Sequence, residues 1–262
     1  MTTGTVHLNL DGAVARVTLS NPKRYNAMSL SMWQKLCDII AAINDMQNIR
    51  VVLLRGDGAK SFVSGADISE FESQRGNPES VNAHDIIVER AETALIECAK
   101  PVIASIHGIC MGGGMGIDLS CDLRYAARNA NFRMSAARLG VGYGFQRMRR
   151  LVDMVGAARV AELFYTARTF DGIEAERIGL VHTAYEDAEL DAVVEQTVAA
   201  IAENAPLTIR AAKLAIQYSL SDPRDRDIDR INHAIQLCSE SSDYVEGRRA
   251  FMEKRRPRFT GR

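Results

Sequence analysis

The chain has 262 residues, of which 47% are apolar and 25% charged, and its formal net charge is −1. That length suits one large domain, or one domain with a small appendage. The near-neutral balance leaves no electrostatic footprint for nucleic acid, and no run of about twenty apolar residues is present to span a membrane. Five scattered cysteines (Cys37, Cys98, Cys110, Cys121, Cys238) include no CxxC pair. Neither a disulfide framework nor a zinc site is expected, and a reducing, cytoplasmic setting fits best.

In chain order, Val6, Leu8 and Leu10 alternate with polar residues. Asp11-Gly12 breaks the run, and Ala13, Ala15, Val17 and Leu19 alternate again. This pattern predicts a β-hairpin rather than a signal peptide. Asn21 to Asn26 reads as a polar loop, and residues 30–46 carry apolar side chains at helical spacing. Val51 to Leu54 is a short apolar run, as expected of a strand buried on both faces. After the glycine-containing stretch 56–65 and a polar stretch at 72–80, a helix is expected from about Val81 to Cys98, then a strand at Val102–Ile106. A further strand is expected at Leu123–Ala127. Strands separated by helical segments imply right-handed βαβ crossovers and a parallel sheet.

Beyond about residue 145 the pattern becomes helical. Helices are expected at 152–165, 173–178, 187–204, 207–219, 225–238 and 244–254, with one strand at Leu180-Val181-His182. No internal repeat stands out. The expected organisation is an α/β core over residues 1–200 and a helical C-terminal region over 201–262.

Two small-residue loops carry the chemistry. Gly112-Gly113-Gly114 follows the Val102 strand and opens a helix. A bare glycine run lets a ligand touch backbone, and it also permits a tight turn with close packing. Ser61 to Ile68 forms the second loop, after the Val51 strand. Together the loops would present backbone N–H groups at neighbouring carboxyl ends, where open α/β sheets place ligands. Two N–H groups converging on one oxygen make an oxyanion hole, in which one donor is worth roughly 2.7–4 kcal/mol of barrier.

The ordered set of pieces resembles the crotonase (enoyl-CoA hydratase/isomerase) superfamily over nearly the whole chain. The pieces are Asn21-Pro22-Lys23-Arg24-Tyr25-Asn26-Ala27, Ser64-Gly65-Ala66-Asp67-Ile68, Lys100 to Ala104, His107-Gly108 to Gly114, Cys121-Asp122, Gly179-Leu180-Val181, and Glu246-Gly247 to Arg255. The resemblance implies a ββα spiral core with a C-terminal helical trimerisation region, and a homotrimer or dimer of trimers. It implies an acyl-CoA thioester as substrate, CoA entering as part of that substrate and no permanently bound cofactor. The thioester carbonyl is expected between the N–H groups of Ser64 and Gly113. CoA is expected against Lys23, Arg24, Ala27, Ala66, Asp67 and Ile68, with Phe251 and Lys254 reaching it from the C-terminal helix, often of a neighbouring subunit.

The shared chemistry of the resemblance is an enolate-type anion; what varies is the acid or base above the α and β carbons. Here the chain departs from the hydratase pattern. Gly116 and Ala136 stand where typical hydratases have glutamates, and Gly144 stands where some dienoyl-CoA isomerases and a chlorobenzoyl-CoA dehalogenase have aspartate. A positioned acid or base contributes typically about 10² to 10⁴ in rate, so the two-carboxylate hydration route is not expected. Tyr143 occupies the place of an active-site tyrosine in methylmalonyl-CoA decarboxylase-like members; a phenol can donate to an enolate without ionising, or simply fill the core. His84 and Asp85 begin the helix that covers the pocket in relatives, and Leu139 joins the expected pocket wall. His107 is expected to pack. Arg138 and Arg147 are expected at surface ion pairs, or at a substrate carboxylate. Asp118, two helical residues beyond Gly116, turns about 200° away from it. The expected function is therefore an acyl-CoA lyase, decarboxylase or isomerase. The alternatives are an unconventional enoyl-CoA hydratase and a non-catalytic acyl-CoA-binding protein.

Overall fold

A computed structural model of the chain describes residues 4–67 and 78–262, without the side chains of residues 78–82. Ile68, most of the expected polar stretch 72–80 and much of the segment from Phe71 to Asp85, expected to set pocket depth, lie outside the described residues. The alternating N-terminal pattern forms the hairpin β1 (Thr5–Asp11) and β2 (Val14–Ser20), with Asp11 opposite Val14 across the turn. The amphipathic run that follows is α1 (Leu30–Asp45). The Ser29 hydroxyl accepts from the Met32 N–H at its start, and Trp33, Leu36, Ile40 and Ile43 are buried along one face.

Three strand pairs then repeat one move. β3 (Val51–Gly56) leads into β4 (Ser61–Val63), β5 (Val102–Ile106) into β6 (Ile109–Met111), and β7 (Leu123–Ala127) into β8 (Asn131–Arg133). The next described helices after these pairs are α2 (Pro78–Glu97), α3 (Gly113–Leu119) and α4 (Ala136–Leu139). The first strand of each pair joins a six-stranded sheet in the order β1-β2-β3-β5-β7-β10, and the second joins a four-stranded sheet in the order β4-β6-β8-β9. Here β9 is Phe170–Asp171 and β10 is Thr183–Tyr185. Both sheets are mixed, antiparallel only at β1–β2 and at β8–β9. This is the ββα spiral that the resemblance implies. β3 and β5 are buried through their apolar runs, as continuous Val/Ile/Leu stretches require.

The helical remainder comprises α5 (Phe145–Val155), α6 (Ala157–Thr166), α7 (Gly172–Arg177), α8 (Asp187–Glu203), α9 (Pro206–Ser219), α10 (Ile228–Glu240) and α11 (Ser242–Met252). Two expectations need correction. Residues 152–165 are not one helix: Gly156, at φ 81 and ψ 149, separates α5 from α6. The strand expected at 180–182 lies three residues later, because the Leu180 and Val181 N–H groups turn back to the Ala175 carbonyl and Leu180 is buried in a bend. Among the described residues no helix is long and apolar enough to cross a membrane.

Candidate active site

The loop after β4 runs beside residues 25–28, joined to them by a single parallel bridge between Met28 and Ala66. Ser64 N donates to the Tyr25 carbonyl at 3.1 Å, Met28 N to the Gly65 carbonyl at 2.8 Å, and Asp67 N to the Met28 carbonyl at 2.9 Å. Ser64 and Asp67 are thus committed to the neighbouring loop. The Gly65 carbonyl and the Ala66 N–H belong to one trans peptide and point opposite ways; the carbonyl turns to Met28, so the Ala66 N–H turns away from it and has no acceptor among the described residues. Gly113, the first residue of α3, likewise has an N–H with no acceptor there. A Cβ at Gly113 would lie 3.8 Å from Ala66 N, so the two residues lie close together across the seam between the loops. The expected pair was Ser64 and Gly113; the Tyr25 carbonyl engages the Ser64 donor, and Ala66 carries the free one.

The seam is glycine-built for a reason of backbone angle. Gly65 has φ 129 and Gly112 has φ 50, and the Cβ position of Gly112 lies 3.7 Å from the Gly65 Cα. A side chain at either place would strain the backbone at that φ, although the space itself would admit a Cβ.

Above the seam is a cavity of about 410 Å³. Ser64, Ala66, Gly113 and Gly116 line its floor, with His84 entering from α2. Ala136 and Leu139 of α4, and then Tyr143 and Gly144, form the opposite wall. Tyr143 stacks edge-on against Phe164, and its hydroxyl is buried with no hydrogen-bond partner among the described residues. Burial, and secondarily the Glu92 carboxylate, holds that phenol well above the ordinary range, so it is a neutral donor. The Trp33 indole N–H, also buried without a partner among the described residues, comes from α1 against the same floor.

One residue of this cavity has no precedent in the sequence-based expectation. Glu92 of α2 is 2% exposed, and its Oε2 accepts from Arg147 Nε at 2.7 Å, with Arg150 Nη1 at 4.0 Å. Its Oε1 accepts no hydrogen bond among the described residues. Instead it stands over Gly116, 2.3 Å from where a Cβ at that position would be. Burial raises the Glu92 carboxyl above its ordinary value, and Arg147 opposes the rise without cancelling it. A signal was present: Val88, Ala91, Glu92 and Leu95 fall at i, i+3, i+4 and i+7, so the carboxylate sits on the buried stripe of its helix.

The other expected residues are placed as follows. Lys23, Arg24, Ala27 and Asp67 do not line the cavity. Asp67, 9% exposed, pairs with Arg24 and accepts weakly from Asn21 at 3.5 Å. Phe251 is 86% exposed on α11, and Lys254 follows that helix in the left-handed region at φ 54; neither lines the cavity of its own chain. His107 points its ring nitrogens at Asp187 (2.8 Å) and Asp191 (3.1 Å) of α8, so it packs. Arg147 lines the cavity, and its ion pair is with the buried Glu92 rather than at the surface. Asp118 is fully buried, away from the cavity.

A family model for enoyl-CoA hydratase/isomerase matches residues 9–262. The short-chain-enoyl-CoA hydratase of Clostridium acetobutylicum is 34% identical over 96% of this chain and 95% of its own. The peroxisomal Delta(3,5)-Delta(2,4)-dienoyl-CoA isomerase of Arabidopsis thaliana is 30% identical over 97% of this chain and 95% of its own. The crystal structure of an enoyl-CoA hydratase/carnithine racemase from Magnetospirillum magneticum superposes with a TM-score of 0.93 at 35% identity, covering 100% of this chain and 97% of that one. The chain belongs to the enoyl-CoA hydratase/isomerase family, the crotonase superfamily, whose members act on CoA thioesters.

Proposed function

We propose that this protein is an acyl-CoA isomerase or lyase that carries its thioester substrate through an enolate. The observation that carries the reading is the pair of uncommitted backbone donors, Ala66 N–H and Gly113 N–H, on residues that lie close together and line a cavity of about 410 Å³. Two such donors stabilise an oxygen most strongly when it becomes an anion. The neutral Tyr143 hydroxyl supplies a third polar contact for the enolate or for a substrate carboxylate. Gly116 and Ala136 bear no carboxylates, so hydration by a pair of glutamates from those positions is not part of the proposal. CoA itself would lie along Lys23, Arg24, Ala27 and the backbone at Ala66 and Asp67, and Phe251 and Lys254 would reach it from another subunit of a trimer.

Titration with acetoacetyl-CoA tests the enolate. The bound thioester should show the ultraviolet band of its enolate at a pH where the free compound is mostly neutral. Binding without that band sinks the oxyanion reading. Mass spectrometry of a mixed acyl-CoA panel then sorts the reaction. Loss of CO₂ identifies a lyase, gain of water a hydratase, and altered retention at constant mass an isomerase; a bound but unchanged panel identifies a binding protein.

A further inference from the structure

We propose that Glu92, reaching in from α2, is the acid–base residue of this active site, that Arg147 positions it, and that Gly116 is glycine in order to admit it. The proposal rests on the enolate reading and names the group that moves the proton. Gly113 and Gly116 lie three residues apart on α3, a rise of about 4.5 Å. The free donor at Gly113 and the carboxylate over Gly116 are therefore stacked along one short path across the cavity floor. A thioester whose oxygen sits between Ala66 and Gly113 would direct its α and γ carbons along that path, toward Glu92 Oε1. The other oxygen, Oε2, is fixed by Arg147 at 2.7 Å. One oxygen is thus held and the other is open to substrate, the division of labour that a positioned base requires.

The charged surroundings support the role. Arg147 and Arg150 face the carboxylate from α5, Tyr143 from the loop before it, and Glu89 from the same helix. His84 and Asp85 line the same cavity, and the Asp85 carboxylate acts on Arg147. Burial holds the carboxyl above its ordinary range while Arg147 favours the ionised form, which brings a carboxylate closer to the working range of a base at neutral pH.

One carboxylate suffices for a 1,3-proton shift. Starting from a 3-enoyl thioester, the C2–H bond breaks and its proton goes to Glu92 Oε1. Its electron pair forms the dienolate, with the negative charge on the oxygen between Ala66 and Gly113. The O–H bond at Glu92 then breaks, the proton joins C4, and the double bond settles between C2 and C3. The carboxylate is regenerated and nothing is consumed.

The test follows deuterium uptake and double-bond migration in short- and medium-chain 3-enoyl-CoA thioesters incubated with the protein in D₂O. The wild type should exchange and isomerise at least one of them. Glu92→Gln should lower kcat at least 100-fold while leaving the acetoacetyl-CoA enolate band intact. Returning the carboxylate to α3 in the double variant Glu92→Ala/Gly116→Glu should recover part of the loss. It also serves as the test if Glu92→Gln does not fold. Arg147→Gln should move the ascending limb of the pH–rate profile upward, which a purely structural arginine would not do. Glu92→Gln within threefold of wild type, or a wild type that binds the panel and exchanges none of it, overturns the proposal and leaves the enolate reading standing. Absence of the enolate band in the wild type removes both.

Discussion

Gly116→Ala adds one methyl group at the point where α3 passes beneath Glu92. The new Cβ would lie 2.3 Å from Oε1, whereas ordinary contact begins near 3.4 Å. The carboxylate must retreat by about 1 Å, a misplacement that can cost about 100-fold in rate. Fold stability should barely respond, for two reasons. The atom struck is the free end of a flexible side chain, and alanine gains up to about 1 kcal/mol over glycine inside a helix. The expected signature is thus a kcat roughly 100-fold lower with a melting temperature within about 4 °C of wild type. Steady-state isomerisation kinetics beside a calorimetric scan measure both. In Glu92→Gln/Gly116→Ala the two effects should fail to add, since both act through one carboxylate. Unchanged kcat in Gly116→Ala would show that the position of Oε1 does not matter to turnover, and the acid–base assignment would fall with it.

Two further substitutions separate function from packing. Tyr143→Phe removes a buried hydroxyl that has no partner among the described residues. Leaving such a group unsatisfied costs about 1–3 kcal/mol, so the unliganded variant should melt higher while kcat falls about tenfold through loss of one substrate hydrogen bond. A higher melting temperature with unchanged kcat would assign Tyr143 to packing alone. Asp118→Asn probes the fully buried carboxyl beside Cys110, Cys121 and Arg124, whose two oxygens accept no hydrogen bond among the described residues. Burial pushes it up from 3.8 to about 7 against the pull of Arg124. At about 1.4 kcal/mol per pH unit, the wild type should lose about 4 kcal/mol of stability between pH 4 and pH 7 on this account. The sign follows from the raised value: the fold prefers the protonated form, so stability is full below the unfolded value, falls as pH rises, and levels off above about 7. Urea unfolding across that range should show the loss in the wild type and not in Asp118→Asn; a difference independent of pH would contradict it.

What the sequence reveals depends on how far away the deciding partner lies. The hairpin, α1 and the strands β3, β5 and β7 are legible because a few adjacent residues carry their period or their unbroken apolar run. β4, β6, β8 and β9 are not, since two or three residues have no period. They are strands only because distant segments pair with them, as Phe132 does with Phe170. The same distance governs the site. Both loops are readable from their small residues, but which N–H is free is not. The choice between Ser64 and Ala66 turns on how residues 64–67 align with 25–28: the Ser64 N–H meets the Tyr25 carbonyl, and the Gly65–Ala66 peptide, whose carbonyl turns to Met28, sends the Ala66 N–H the other way.

Gly116 makes the point most sharply. In the sequence it is a missing carboxylate, and hydration by paired glutamates is set aside on that ground. In three dimensions it is the space that Glu92 Oε1 occupies, and a side chain of any kind at 116 would exclude that oxygen. Sequence shows the vacancy because it is local, but it cannot show the occupant, which arrives from α2, twenty-four residues upstream, by way of the packing of two helices. The apolar stripe Val88, Ala91, Leu95 marks the face of α2 that turns inward. A carboxylate on such a stripe must find a partner or a task. Arg147 satisfies one oxygen, and the other faces the substrate cavity, so the absence at 116 and the anomaly at 92 are two halves of one arrangement.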